Sequence, residues 1–190
     1  MIQRYFICGD KLMALNAKVG TSTFARAIIK KYYPEIDDEI LSAHYPEGES
    51  ADTRQWQMRL PYRINPDKPV VCLIRDPVER FRSAMAQVAL NDVDAAINEL
   101  NTESGIYGRN NTGKLVENVH FVKQSTIKGS PIYYFRFPDQ VDEAAAFLGL
   151  DLPLVIINDN TRNDKPEVNE TQAEAIRQFY IEDYNLWKSL

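Results

Sequence analysis

Apolar and polar positions alternate along the chain between short strand-like runs and longer stretches with helical spacing. Arg4-Tyr-Phe-Ile-Cys8 and Lys11-Leu-Met-Ala-Leu15 flank Gly9-Asp10, a two-residue hairpin signal. The pattern predicts an edge strand paired with the strand that feeds the next loop. A helical pattern over Thr21–Tyr33 stops at Pro34. Glu39–Ala43 predicts a short strand ending at His44, and the polar stretch Tyr45–Lys68 predicts a loop with a helical turn near Asp52–Leu60. Val70-Val-Cys-Leu-Ile74 is a continuous, mostly β-branched apolar run, the pattern of a strand buried on both faces of a parallel sheet. Asp76 as N-cap, Pro77 at N1 and Glu79 at N3 then open a helix over Pro77–Ala89. Its Phe81, Ala84, Met85 and Val88 repeat at the spacing of a core-facing side.

Asp92–Leu100 predicts a further helix, and Asn101–Lys114, rich in Asn, Thr and Gly, predicts a mobile loop. Pro131–Arg136 reads as a strand and Pro138–Leu148 as a helix closed by Gly149. Leu154–Ile157 reads as a last strand and Asn158–Val168 as a polar loop. Asn169-x-x-Gln172 opens a terminal helix whose Tyr180, Asp183, Tyr184 and Trp187 form a packing face in register with Ala173 and Ile176. No internal repeat or low-complexity segment interrupts this order. Alternating strands and helices predict an α/β fold with a central parallel sheet flanked by helices, in one domain over residues 1–190.

Composition changes the picture in three places. At 190 residues, with 44% hydrophobic and 26% charged positions, the chain is long enough to bury a single core. A net charge of −5 argues against a general nucleic-acid or anionic-membrane surface, so any anion must be met by local positive charge. Two cysteines, Cys8 and Cys72, both in apolar strand-like runs, predict buried reduced thiols rather than a disulfide framework. No apolar run has the length of a membrane span, and Met1-Ile-Gln-Arg-Tyr lacks a signal-peptide core, so a cytoplasmic location is expected.

The chemistry concentrates at two junctions. Asn16-Ala-Lys-Val-Gly-Thr-Ser-Thr23 leads from an apolar strand through Gly20 into a helix start, where backbone N–H groups and the positive end of the helix dipole favour an anion. Lys18 adds a cation, and Thr21, Ser22 and Thr23 add hydroxyl donors, although Ser and Thr also suit a plain cap. Lys precedes Gly here, unlike the G-x-x-x-x-G-K-[ST] order of the standard nucleoside-triphosphate loop. The second junction is Arg75-Asp-Pro-Val-Glu-Arg-Phe-Arg-Ser83, at the carboxyl end of the Val70–Ile74 strand. Open α/β sheets bind ligands at such ends.

Lys-x-Gly-Thr-Ser after the first strand, with Arg-Asp-Pro-x-x-Arg-x-x-Ser after a later one, resembles the sulfotransferases that use 3′-phosphoadenosine 5′-phosphosulfate, closest to their carbohydrate-type branch. His120-Phe-Val-Lys-Gln124 and Tyr180-Ile-Glu-Asp183-Tyr184 are similar to a His-x-x-x-Gln element and a Tyr-x-x-Asp-Tyr terminal-helix element of that branch. The resemblance runs from about Leu12 to Trp187. It implies a P-loop-like three-layer fold and in-line transfer of a sulfuryl group to an acceptor hydroxyl on a carbohydrate or small molecule. It further implies that Lys18, Val19, Gly20, Thr21, Ser22 and Thr23 hold the 5′-phosphosulfate, with Lys18 neutralising the leaving group, and that Arg75 and Ser83 hold the 3′-phosphate.

His44 stands where such enzymes place a catalytic base, with Glu47 and Glu49 as alternatives. Arg162 and Lys165 lie in a late loop that closes over the nucleotide in relatives. Two His and two Cys make no obvious metal set, and sulfuryl transfer needs less charge neutralisation than phosphoryl transfer, so no metal is expected. The product would be 3′-phosphoadenosine 5′-phosphate. Two other readings remain open: a kinase-like nucleoside-triphosphate enzyme, and a non-catalytic nucleotide-binding module.

Overall fold

The computed structural model describes residues 5–14, 18–34, 62–63, 65–87, 90–101, 107–109, 115–117, 121–154 and 165–190. The expected strand at Glu39–Ala43, the helical turn near Asp52–Leu60 and the far end of the Pro77–Ala89 helix lie outside these residues.

The hairpin forms as its turn signal requires. Strands β1 (Tyr5–Cys8) and β2 (Lys11–Ala14) pair antiparallel with Cys8 opposite Lys11, and Gly9 takes φ 61°, which costs a residue without Cβ nothing. β1 is not the edge, however. Its outer side pairs with β3 (Tyr62–Arg63), two residues drawn from the stretch expected to be loop. A strand this short carries no alternation to read. β2 runs parallel to β4 (Val70–Arg75), and β4 runs parallel to β7 (Ile132–Phe137) over six residue pairs. The order β3-β1-β2-β4-β7 therefore makes a mixed sheet, parallel in its β2-β4-β7 half and antiparallel in the other. The two-residue turn is the cause: parallel neighbours need a long crossover, whereas a tight turn returns the chain antiparallel.

Period-two alternation divides the core by face. Phe6, Cys8, Met13, Val71 and Leu73 point to one side, under helix α1 (Thr21–Tyr32) and helix α4 (Val141–Phe147), through Phe24, Ile28, Ala144 and Ala145. Tyr5, Leu12, Ala14, Val70, Cys72 and Ile74 point to the other, toward Leu186 and Trp187 of helix α6 (Ile181–Ser189). Helices α2 (Pro77–Gln87), α3 (Val93–Leu100) and α5 (Glu170–Phe179) close a further cluster around Phe81, Met85, Ile97 and Ile176. Phe81 meets Phe121 edge-on there, with centroids 5.5 Å apart. The architecture is mixed α/β with helices on both sheet faces, and no helix among the described residues is long and apolar enough to cross a membrane.

Several helix ends follow their sequence signals. Asn169 and Gln172 make the reciprocal capping box. Gly149, at φ 71°, ends α4 with N–H bonds from Gly149 to Ala146 and from Leu150 to Ala145. That helix begins three residues later than expected, after a turn at residues 138–140. Within the expected Asn101–Lys114 loop, Tyr107–Arg109 is instead a strand, β5, paired antiparallel with β6 (Leu115–Glu117) just beyond it. Of the expected last strand, Leu154 is not in a strand and the remaining three residues lie outside the described set. The terminal helix is two helices, broken at Tyr180 (φ −99°, ψ 32°). The Tyr180 ring is buried and its hydroxyl donates to the Phe121 carbonyl at 2.6 Å. The break lets α5 pack on α2 and α3 while α6 packs on the sheet.

Candidate anion-binding site

β2 and β4 are adjacent and parallel, so the turns that follow them open at the same edge of the sheet. The first turn is tightly wound. Lys18 has φ 66° and Gly20 φ 73°, two left-handed residues within three positions. A side chain at Lys18 makes that conformation costly, the kind of local strain that collects at functional turns. Gly20 is required for a second reason: a Cβ there would come within 2.9 Å of Cε2 of Phe137. Val19, fully buried in the core under α1, anchors the turn between them. Gly20 is the N-cap of α1 and supplies no side-chain cap, and the first helical turn carries no acidic residue to neutralise the dipole. Thr21 and Thr23 sit in that turn, with Thr23 buried.

The second junction meets the first directly. The Arg75 guanidinium donates from Nη1 to the Lys18 carbonyl at 3.0 Å and lies over the Phe137 ring, 5.4 Å from its centroid. Asp76 caps α2 as expected, accepting from the Glu79 N–H at 2.9 Å. Glu79 turns its carboxylate to cations instead: 2.7 Å to Arg82, 3.8 Å to Arg75 and 3.9 Å to Lys165. Arg82 also donates to the Pro166 carbonyl at 2.9 Å, tying the chain beside Lys165 to α2. Three cations thus share one carboxylate on a chain whose net charge is −5, and Lys18 adds a fourth within electrostatic reach of Arg75 and Lys165. Burial, and then the charges of Arg75 and Lys165, hold the Lys18 ammonium down to about 8. Burial likewise lowers Arg75, against the opposing pull of Glu79 and Asp76.

Not every expected residue joins this group. Ser83 is on α2 but only 2% exposed, and among the described residues no hydrogen bond links it to Arg75. The Ser22 side chain, His44, Glu47, Glu49, His120 and Arg162 lie outside what the structure describes. Among the described residues no group of three His, Cys, Asp or Glu is placed to hold a metal.

Three residues outside the two junction motifs matter here. Phe137 is the wall between Gly20 and Arg75. Gln124 accepts from the Arg75 backbone N–H at 3.1 Å and donates to the Leu73 carbonyl at 3.1 Å. Asp183, fully buried, accepts from the N–H groups of Gln124 (2.8 Å) and Ser125 (2.7 Å) and pairs with Arg80 at 3.3 Å. Arg80, 2% exposed, also donates to the Val122 carbonyl at 2.7 Å and stacks on Tyr180. The Gln124 and Asp183 motifs were visible in the sequence; the bonds from Arg75 to Gln124 and from Gln124 to Asp183 span 49 and 59 positions and had no local signal.

Compared with known proteins, the chain matches no family model, no curated protein and no solved structure. Function therefore rests on the site itself. A strained turn at a helix start, a half-buried lysine and a fixed arginine make a place suited to a compact polyanion rather than to an apolar or cationic ligand.

Proposed function

We propose that the protein is a sulfotransferase that uses 3′-phosphoadenosine 5′-phosphosulfate and an acceptor hydroxyl, on a P-loop-like three-layer fold in the cytoplasm. The observation that carries this reading is the 3.0 Å bond from Arg75 to the Lys18 carbonyl. The two phosphate-bearing positions of a 3′,5′-bisphosphate are separated by a single ribose, so their receptors must be neighbours. In this reading the turn Lys18–Thr23 cradles the 5′ end and Arg75 takes the 3′-phosphate. Lys18 neutralises the charge that develops on the leaving phosphate. Lys165 reinforces the positive field, and His44 serves as base. Ser83 joins only with a side-chain or helix adjustment that exposes its hydroxyl.

The kinase-like alternative wants a Gly-Lys-Ser/Thr loop and a metal-binding aspartate after an apolar strand. Asp76, the aspartate in that position, holds the start of α2 through Glu79 N–H. Titration calorimetry separates the readings. Adenosine 3′,5′-bisphosphate is expected to bind at least about tenfold more tightly than adenosine 5′-monophosphate, a difference of about 1.4 kcal/mol. Lys18→Ala should keep bisphosphate binding and lose transfer from labelled donor. A preference for ATP–Mg over the bisphosphate overturns the assignment, and tight binding without turnover on any acceptor leaves a binding module.

A further inference from the structure

We infer that Gln124, held by Asp183, is the positioning residue that fixes Arg75 for its anion; the identity of that anion rests on the function proposed above. Along a strand, successive backbone groups face opposite edges. The Val70 N–H donates to Pro131 on the β7 side, so the odd-numbered groups of β4, Leu73 and Arg75 among them, face the β2 side. There the β2 register runs only from Leu12 opposite Val70 to Met13 opposite Val71, and β2 ends at Ala14. Beyond that point the Gln124 carboxamide donates to the Leu73 carbonyl and accepts from the Arg75 N–H, both at 3.1 Å. These are the two bonds that a parallel strand residue opposite Ile74 would make. One side chain therefore completes the ladder at the residue that begins the anion site.

The carboxamide is itself immobilised. Gln124 is 2% exposed, and its own N–H is bound to Asp183 at 2.8 Å. Asp183 spans two consecutive N–H groups, those of Gln124 and Ser125, and is closed off by Arg80. A carboxylate with several donors in a buried setting defines one geometry, because any departure leaves charge or amide unmatched. The C-terminal helix α6 thereby sets the orientation of an arginine at the far end of β4. With its backbone fixed by Gln124, the Arg75 guanidinium is aimed between the Lys18 carbonyl and the Phe137 ring. Only a group that is donor and acceptor at once serves both backbone partners. An apolar residue of the same size fills the space, leaves the Arg75 N–H unmatched and removes the amide donor from the Leu73 carbonyl.

Gln124→Met and Gln124→Glu test this with two readouts, amide hydrogen exchange by NMR and the preference for adenosine 3′,5′-bisphosphate over adenosine 5′-monophosphate. In Gln124→Met, exchange at Arg75 should rise at least about tenfold while Val71 and Ile74 stay protected, and the nucleotide preference should fall about tenfold, toward that of Arg75→Ala. Gln124→Glu keeps the acceptor for the Arg75 N–H but gives up the donor to Leu73, so exchange protection at Arg75 alone should be retained within about threefold. A folded Gln124→Met with unchanged exchange at Arg75, or with equal weakening toward both nucleotides, overturns the inference. So does loss of Arg75 protection in Gln124→Glu, which also decides the matter if Gln124→Met does not fold. Should the unaltered protein show no nucleotide preference, the proposed function fails while the exchange readout still judges the positioning role.

Discussion

Lys18 combines three conditions that seldom coincide: a left-handed backbone, partial burial and two cationic neighbours. Each opposes the charged form or the conformation, and an anion between Lys18 and Arg75 relieves the electrostatic part. Its ammonium should titrate at about 8, well below the usual 10.5, as followed by NMR of the lysine side chains. The sign for stability follows from linkage. Between about 8 and 10.5 the unfolded chain holds this proton and the folded chain does not, so this group's contribution to stability rises with pH across that window. Below about 8 both states are protonated and the full electrostatic cost remains. Under the proposed sulfuryl transfer, activity should move the other way, since kcat/KM reports groups of the free enzyme. It is expected to fall as pH rises through about 8, and a lysine titrating near 10.5 in NMR would remove the basis for it. The sequence placed Lys18 and Arg75 at successive junctions because each followed an apolar strand with a cap or glycine behind it. It did not reveal their contact, which depends on β2 and β4 being neighbours in the sheet.

The elements that read most clearly were those with chemistry at both ends. The hairpin, the α2 start at Asp76-Pro77 and the Asn169–Gln172 capping box all depend on interactions within four residues, and the structure keeps them. β3 and the β5–β6 hairpin are too short for a period to show, so they were hidden in polar stretches. The division of the terminal helix at Tyr180 was hidden for a different reason. No Gly or Pro marks it, and the cause is tertiary: Tyr180 and Asp183 both reach the segment at Phe121–Ser125. That junction should dominate the energetics of the C-terminal region. Asp183→Ala strands a buried Arg80 and two amides, and is expected to cost about 3–5 kcal/mol. Asn169→Ala removes an exposed cap and should cost about 1 kcal/mol. Urea denaturation measures both as a lower midpoint at unchanged slope, and an Asp183 effect no larger than that of Asn169 would show the buried network to be marginal.

At the scale of the whole molecule, the reading of an α/β chain held, and the parallel part of the sheet is confined to β2-β4-β7, because the tight turn returns β1 antiparallel. The mixed sheet has two dissimilar faces, and the two cysteines mark one each. Cys8 lies with Met13 and Leu73 under α1 and α4, and Cys72 lies with Val70 and Ile74 toward α6. Both thiols are buried, and desolvation pushes Cys8 up to about 12, so Cys8 is not a thiolate at neutral pH. Reaction with a thiol reagent then requires that a face be uncovered. The faces share β1, β2 and β4, whose side chains alternate between them, and lifting helices from one side removes support from the strands that carry the other. The faces should therefore open together. Single-cysteine variants, Cys8→Ser and Cys72→Ser, are expected to label with the same denaturant midpoint as the loss of far-ultraviolet circular dichroism. If the thiol at Cys72 becomes reactive well before the one at Cys8, α6 leaves the sheet as a separate unit. The anion site, whose Arg75 depends on α6 through Asp183, would then lose its geometry before the fold does.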